Sequence, residues 1–251
     1  MTKSIKIIFL AVLMFLTYFG GIIRHDVKKK LYLQLAKEKQ FDCVGEVYRD
    51  STFSGSCVLI GKSYILTAAH IFIESDFRPD TLKINGQTVI VNQPFNQRVG
   101  KISRYTFKIK GEKKEGDVLF IHPDYLASKF KGSCDIAFIR LKDPITDIKP
   151  ALLNTSTNEL TSKVVGVGFG ATGVANDPGS VTGKGEKLAG ENVVDSIVGD
   201  SYEGNGTRMY CDFDHPTDKS CNKLGSPIPE KLEYTISGGD SGGGLFRKVS
   251  G

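Results

Sequence analysis

The sequence predicts an all-β protein, and three observations support this fold class. Glycine accounts for 28 of the 251 residues, more than the roughly 7% found in average proteins. From about residue 40 onward, short apolar runs alternate with Gly, Asn, Asp and Pro, as in strands joined by turns. Helical patterning is confined to a short charged stretch at 27–39, which fits one helix or a stalk. Together these features favour a β-sandwich or a β-barrel.

The first 30 residues predict that the chain is exported. Lys3 and Lys6 precede an apolar run over residues 7–23, which is the order of a secretory signal. The run also reaches the lower length limit of a membrane-spanning helix, and small residues are missing three places before the candidate cleavage sites. An uncleaved anchor is therefore the alternative. Both interpretations place the protein in a secreted or extracytoplasmic location, the second with membrane attachment through residues 7–23.

The net charge of +5 belongs to this export segment. Residues 1–30 contain six Lys or Arg and one acidic residue, and the remaining 27 basic and 27 acidic residues cancel. A nucleic-acid-binding protein carries its basic excess on the folded domain. We therefore expect no nucleic-acid partner.

The chain has five cysteines, and export would place them where disulfides persist. An odd number leaves at least one without a partner in this chain. The most favourable pair is Cys211 with Cys221, since only nine residues lie between them and loop closure costs little entropy. Cys and His pairs at zinc-ligand spacing are missing, so we expect no metal and no other cofactor.

The strand candidates fall into two groups, separated near residues 142–158, where Pro and Asp cluster. Apolar runs at 57–60 and 64–66 flank a short polar segment and predict a hairpin. The later candidates are 88–91, 117–121, 136–139 and 164–167. The sequence thus predicts an export segment at 1–30, a first β domain at 40–145 and a second at 150–251.

Ser241 lies in the most distinctive string of the sequence, Ser237-Gly-Gly-Asp-Ser-Gly-Gly-Gly-Leu-Phe246. Glycines on both sides allow a tight turn in which the N–H groups of Gly239 and Ser241 face one point. Such paired donors stabilise the oxyanion of a tetrahedral intermediate, and the hydroxyl of Ser241 would be the nucleophile. The alternative is a glycine-rich surface turn.

A serine nucleophile needs a base, and His70 and Asp135 are the candidates for base and orienting acid. His70 ends a predicted strand that runs into small residues, which would leave its imidazole open to a cleft. Asp135 immediately precedes an apolar strand, where a carboxylate is costly unless it is paired, and an imidazole N–H would pair it. A structural histidine and a solvated acid at a strand start are the alternatives.

Four strings around these residues resemble the motifs of trypsin/chymotrypsin-like serine peptidases. The order His, Asp, Ser is that of chymotrypsin, and the strings span roughly residues 44–246. The strings are Leu66-Thr-Ala-Ala-His70, His122-Pro-Asp-Tyr125 with Asp135-Ile-Ala-Phe-Ile-Arg-Leu141, Gly166-Val-Gly-Phe-Gly170, and Gly239-Asp-Ser-Gly-Gly243.

The resemblance implies two antiparallel Greek-key β-barrels, the first carrying His70 and Asp135 and the second carrying Ser241. It implies hydrolysis of peptide bonds in protein or peptide substrates through an acyl-enzyme, with Gly239 and Ser241 forming the oxyanion hole. The intact set of three residues favours an enzyme. The alternative is a catalytically silent relative, or a fragment, that binds proteins through the same cleft.

The sequence departs from the family in several places. An Arg-Ile-Val-Gly-Gly activation string is missing ahead of the first barrel. Thr235 stands six places before Ser241, where family members that cleave after Arg or Lys have Asp, so that preference is not implied. Only ten residues follow Ser241, whereas the family continues with further strands. We therefore expect an incomplete second barrel, and a chain that is poorly soluble and nearly inactive as given.

Overall fold

A computed structural model describes residues 21–84, 87–131, 134–184, 186–199 and 206–247. Strands dominate these residues, and the two α-helices are short, which confirms the all-β fold class. The helices are α1 (Lys29–Ala36) and α2 (Pro123–Ala127).

The first half of the chain forms a closed six-stranded barrel. In chain order its strands are β2 to β4 and β7 to β9, and every neighbouring pair around the barrel is antiparallel. A separate strand, β1 (Gly21–Ile23), precedes them, and β5 and β6 form a hairpin outside the barrel. The bounds are β2 (Val44–Arg49), β3 (Thr52–Gly61), β4 (Tyr64–Thr67), β5 (Ile73–Ile84), β6 (Gln87–Val99), β7 (Tyr105–Ile109), β8 (Glu112–Ile121) and β9 (Ala137–Leu141).

Alternating apolar residues fill this barrel, because successive side chains on a strand point to opposite faces. Val47, Leu59, Ile65, Phe107 and Ile139, from five different strands, are all fully buried in one core cluster. The predicted hairpin at 57–66 is confirmed as the antiparallel pair β3–β4. The barrel therefore holds β4 and the start of β9, next to which His70 and Asp135 lie, in fixed register.

The second half of the chain forms several smaller sheets. In the described residues they do not close into a barrel: the orders are β12-β11-β1-β16, β13-β10-β17 and β14-β15. The strand β10 contains the predicted run at 164–167. The bounds are β10 (Lys163–Gly168), β11 (Ala171–Val174), β12 (Asp177–Lys184), β13 (Leu188–Val193), β14 (Ser196–Gly199), β15 (Gly206–Tyr210), β16 (Tyr234–Thr235) and β17 (Gly244–Arg247).

The segment between the two halves lacks helix and strand from the end of β9 to the start of β10. It is nevertheless packed, because Ile145 and Ile148 are buried in the core cluster of the first barrel. This segment contains the predicted boundary near 142–158. The division into two domains at 40–145 and 150–251 stays a prediction.

The end of the predicted export segment is part of the folded domain. Residues 1–20 lie outside the described residues, but 21–23 form β1, which pairs in parallel with β11 and antiparallel with β16. Ile23 is only 1% exposed. Sheet pairing and burial therefore hold residues 21–23 in the second half, and the interpretation of residues 7–23 as a signal or an anchor stays a prediction. Between residues 21 and 247 as described, the helices are too short or too polar to cross a membrane.

The expected disulfide between Cys211 and Cys221 is not formed, and all five cysteines are free. Cys221 lies in a 3-10 turn over 219–221, where its Sγ donates to Asp218 Oδ2 at 3.4 Å. The carboxylate of Asp212 accepts the amide N–H groups of Lys223 and Leu224. The short sequence separation is thus outweighed by a loop conformation that directs the Cys221 thiol to Asp218.

Candidate active site

His70 is presented by a tight turn that directly follows β4. The residues beside it, Ala69 and Ile71, are buried, whereas about half of the His70 side chain is exposed. At the end of β4, Thr67 Oγ1 donates to the carbonyl of Ser56 at 2.7 Å and ties the strand to β3. Anchored neighbours therefore hold an open imidazole at a fixed position, as the string of small residues predicts.

Asp135 contacts His70 at two points. Its Oδ2 lies 2.6 Å from His70 Nδ1, and its Oδ1 accepts the His70 backbone N–H at 2.7 Å. Burial raises the pKa of Asp135, but the hydrogen bonds from His70, and the charge of His70 when it is protonated, outweigh this and hold the pKa below its usual value. An ionised carboxylate only accepts, so Nδ1 carries the proton and Nε2 is left as an acceptor.

The loop that contains Ser241 lies directly against the strands beside His70. Gly242 has φ +80°, and a Cβ there would overlap Thr67 Oγ1 and the Ser56 carbonyl. The Ser56 N–H donates to the carbonyl of Ser241 at 2.8 Å, and its hydroxyl donates to the carbonyl of Gly239 at 2.9 Å. Glycine at position 242 thus allows the Ser241 loop to lie directly against β3 and β4, and the hydrogen bonds of the buried Ser56 hold the loop there.

The structure brings the Ser241 segment next to the His70 segment without joining the two side chains. The carbonyl of Ser241 and the side chain of Ile71 both lie against Gly55 on β3. In the part of the chain that is described, no hydrogen bond links the Ser241 hydroxyl to His70. Such bonds are often long in unliganded enzymes and tighten with substrate.

Gly239 has φ +94°, a conformation that glycine adopts without strain. The N–H groups of Gly239 and Ser241 lie in the turn in which Gly243 N donates to Asp240 O at 2.7 Å. Their role as an oxyanion hole stays a prediction, as does the role of Thr235 in specificity. Thr235 is half-buried on β16 and pairs with Ile22 of β1.

Ser56 is a residue that the sequence analysis missed. Besides its bonds to the Ser241 loop, its hydroxyl accepts the N–H of Phe169 at 2.9 Å. These contacts join residues 113 and 183 positions apart in the chain. The sequence shows only that a serine lies within an apolar strand, which indicates a buried polar group. Which residues it bonds to depends on the tertiary structure.

A cavity of about 540 Å³ adjoins this site. Its walls come from the strand before His70, from Asp135, from the segment between the two halves and from β17. Leu152 and Leu153 on this wall are largely exposed. The cavity is predominantly apolar, and it offers room for apolar groups next to the His70–Asp135 pair.

One group of side chains has the composition of a metal site. His122, Asp124 and Cys134 place one ligand atom each within 4.8 Å of one another, so they could share a metal ion. His122 Nδ1 already accepts the N–H of Asp124 at 3.3 Å, at the start of α2. The spacing of Cys and His in the sequence, from which we expect no metal, does not reveal this group.

An all-β fold with a closed barrel, and a His–Asp pair beside a glycine-flanked serine loop, define the class of trypsin-like proteins. The chain belongs to the trypsin family, because the sequence model of that family, Trypsin, matches residues 34–250. Among solved structures 804 chains match. One is kallikrein-related peptidase 10 in complex with Zn²⁺, which is 13% identical with a TM-score of 0.45, over 82% of this chain and 76% of that one. No curated protein matches.

Proposed function

We propose that this protein is a serine endopeptidase that cleaves peptide bonds in proteins through His70, Asp135 and Ser241. The observation that carries the proposal is the two-point contact of Asp135 with His70, beside which the Ser241 loop is packed. This contact fixes both the orientation and the tautomer of the imidazole. Membership of the trypsin family supports the same assignment.

In the first half of the reaction, Ser241 Oγ attacks the carbonyl carbon of the substrate while Nε2 of His70 takes the hydroxyl proton. Asp135 remains ionised and stabilises the imidazolium through Nδ1. The N–H groups of Gly239 and Ser241 stabilise the oxyanion. The intermediate collapses as His70 gives the proton to the leaving amine, which leaves an ester on Ser241.

In the second half, water replaces the amine. His70 takes a proton from the water as it attacks the ester carbonyl, and returns it to Ser241 Oγ when the acid product leaves. For the first step the Ser241 side chain must turn toward Nε2, since the two are not hydrogen-bonded without substrate. The reaction needs no further cofactor.

The substrates we propose are proteins or peptides, and the apolar cavity beside Asp135 supports contact with apolar residues near the scissile bond. We also propose that the protein acts outside the cytoplasm, because Lys3 and Lys6 precede an apolar run as in a secretory signal. Carbonate extraction of expressing cells tests the membrane-attached form. Complete release with a new N-terminus near Ile22 would show cleavage instead.

The experiment that tests catalysis is labelling with a fluorophosphonate, which reacts with an activated serine. We expect the wild-type protein to be labelled at Ser241 and Ser241→Ala not to be labelled. Ser237→Ala is the matched control, because this serine lies in the same loop and its hydroxyl contacts only backbone carbonyls. Labelling that persists in Ser241→Ala would contradict the assignment, and a folded wild-type protein without labelling would favour a silent, protein-binding relative.

A further inference from the structure

The carboxylate of Asp240, which directly precedes Ser241, is buried and held by three donors. It is 7% exposed. Its Oδ1 accepts the N–H of Gly170 at 2.9 Å, and its Oδ2 accepts the Tyr234 hydroxyl at 2.6 Å and the Ser237 N–H at 3.1 Å. In the described ranges it has no ion-pair partner. Tyr234 is therefore the one side chain that donates to this carboxylate.

The ring of Tyr234 occupies a slot made by three glycines on three different strands. The ring is 3% exposed. A Cβ on Gly21 of β1, on Gly166 of β10 or on Gly190 of β13 would overlap atoms of Tyr234. Since real Cβ atoms do not approach other atoms so closely, the phenol ring fits only because glycine occupies all three positions. The three backbones also hold the ring in one orientation. In this orientation the hydroxyl reaches Asp240.

The donor role of the phenol follows from its environment. Burial, and then the charge of Asp240, raise the pKa of Tyr234 well above its usual value, so the hydroxyl stays protonated. Burial raises the pKa of Asp240 above its usual value, although its three hydrogen bonds oppose the rise, and in the ionised form Asp240 only accepts. A short bond from a neutral phenol to a carboxylate belongs to the strong, charge-assisted class.

Asp240 in turn fixes the turn that carries the reacting groups. Its backbone N–H donates to Ser237 O at 2.9 Å, and its carbonyl accepts the N–H of Gly243 at 2.7 Å. A Cβ on Gly168 or Gly170 would overlap the Asp240 side chain, so the carboxylate rests directly on that backbone. The backbone of Asp240 is thus bonded to both sides of the turn, and its side chain is bonded to Gly170, Tyr234 and Ser237, which leaves Gly239 and Ser241 little freedom.

We propose that Tyr234 is a positioning residue for peptide hydrolysis. Its hydroxyl holds Asp240, and through Asp240 it holds the turn in which the N–H groups of Gly239 and Ser241 meet the oxyanion. This inference rests on the proposed function. Without the phenol, Oδ2 of Asp240 keeps only the Ser237 N–H, and a buried carboxylate that loses a donor moves toward other donors or water.

The test compares Tyr234→Phe with Tyr32→Phe. Tyr32 is fully buried in the same cluster, and its hydroxyl donates to the carbonyl of Glu233 at 3.0 Å. Tyr234→Phe removes one hydrogen bond of a buried phenol, whereas Tyr32→Phe removes two, because the Tyr32 hydroxyl also accepts the Arg24 N–H at 3.2 Å. Only the Tyr234 hydroxyl reaches Asp240. We expect kcat of Tyr234→Phe to fall about tenfold to a hundredfold with KM nearly unchanged, because oxyanion contacts act in the transition state. Tyr32→Phe should keep the wild-type kcat.

A peptide aldehyde gives a readout that general loosening would not produce. Its hemiacetal oxygen occupies the oxyanion position, whereas the matched peptide alcohol forms no such adduct. Tyr234→Phe should lose affinity for the aldehyde by about the factor lost in kcat, and should keep its affinity for the alcohol. Wild-type kcat and aldehyde affinity in Tyr234→Phe would overturn the proposal, and so would equal losses for aldehyde and alcohol.

A double-mutant cycle separates this inference from the proposed function, because it needs no activity. The free energies of unfolding of Tyr234→Phe, Asp240→Asn and the double variant are measured by denaturant unfolding. The losses of the two single variants should not add, and the double variant should be only slightly less stable than the less stable single variant. Additive effects would overturn the inference even in an active enzyme. If the two substitutions are strongly coupled but the wild-type protein cleaves no peptide, only the proposed function is refuted.

Discussion

At the scale of single residues, the site depends on side chains that each serve two contacts. Asp135 binds both the ring and the backbone of His70, and Ser56 binds both the Ser241 loop and Phe169. Ordering such a side chain costs its conformational entropy once, while two hydrogen bonds are formed. Conservative substitutions at such positions should therefore affect more than one hydrogen bond.

Asp135→Asn should leave the protein folded and lower kcat about 10⁴-fold, as in other serine peptidases. The amide oxygen can still accept the His70 backbone N–H, but an amide cannot favour the proton on Nδ1 as a carboxylate does. Steady-state hydrolysis of a peptide substrate measures the loss. Asp124→Asn, an exposed acid on α2, is the control. Near-wild-type kcat in Asp135→Asn would refute the role of Asp135.

Ser56→Ala should lower the free energy of unfolding by about 2 kcal/mol, because it removes hydrogen bonds to Phe169 N–H and Gly239 O in a fully buried place. Urea denaturation measures this loss. Ser54→Ala, two residues earlier on β3, is the control, since its hydroxyl bonds only to Thr52 O within the same strand. Equal stability of the two variants would show that Ser56 does not hold the loop.

Glu233 should make stability depend on pH. Burial raises its pKa to about 8, and the negative charges of Asp214 and Glu230 add to the rise. Because the folded state binds this proton more tightly than the unfolded state does, protonation of Glu233 stabilises the folded protein. This stabilisation is complete below about pH 4.5 and is lost as the pH rises to about 8. Glu233→Gln should remove this decline and be about 2 kcal/mol more stable than wild type at pH 9. Urea unfolding at pH 5 and pH 9 measures this difference, with Glu186→Gln, at an exposed position, as the control. The same pH dependence of stability in both variants would contradict the role of Glu233.

At the scale of elements, the β5–β6 hairpin is the part of the first half that stands apart from the barrel. Among the described strands, β5 and β6 pair only with each other. Its base is tied by Arg104, which bridges Asp50 before β3 and Glu74 on β5. Residues 74–99 contribute nothing to the core clusters of the described residues. Because β5 begins three residues after His70, the hairpin borders the site without building its core.

Shortening this hairpin should therefore leave the barrel stable. Asp76 and Phe95 face each other in the strand register, so an Asn-Gly turn can replace residues 77–94. We expect the free energy of unfolding to change by less than about 1 kcal/mol, since Val89 is the one buried apolar side chain among the described residues that are removed and it belongs to neither core cluster. Hydrolysis of small peptides should persist. Thermal unfolding and peptide assays measure both. A shortened protein that fails to fold would contradict this view of the hairpin.

At the scale of the whole molecule, a segment from the start of the chain completes a sheet of the second half. β1 lies between β11 and β16, so it separates the strand after Gly170 from the strand that carries Tyr234 and Thr235. Ile23 and Tyr234 belong to one small core cluster with Tyr32 and Leu188. Folding of the Ser241 half therefore depends on residues that precede the first barrel.

Ile23→Ala should lower the free energy of unfolding by about 2–4 kcal/mol, because it empties a fully buried place in this cluster. The neighbouring Ile22→Ala, at a less buried position, should cost less. Urea denaturation of both variants measures the difference. Equal and small effects would show that β1 is not part of the stable fold.

The sequence by itself determined the all-β class, the β3–β4 hairpin and the strings around His70, Asp135 and Ser241. These depend on local patterns, since strand periodicity and glycine-flanked turns are set by residues close in the chain. Only tertiary structure decided the pairing of β1 with β11 and β16, the free state of Cys211 and Cys221, and the contacts of Ser56 and Tyr234. Each depends on which distant backbone lies alongside, and the sheet register that sets this satisfies buried polar groups across the whole chain at once.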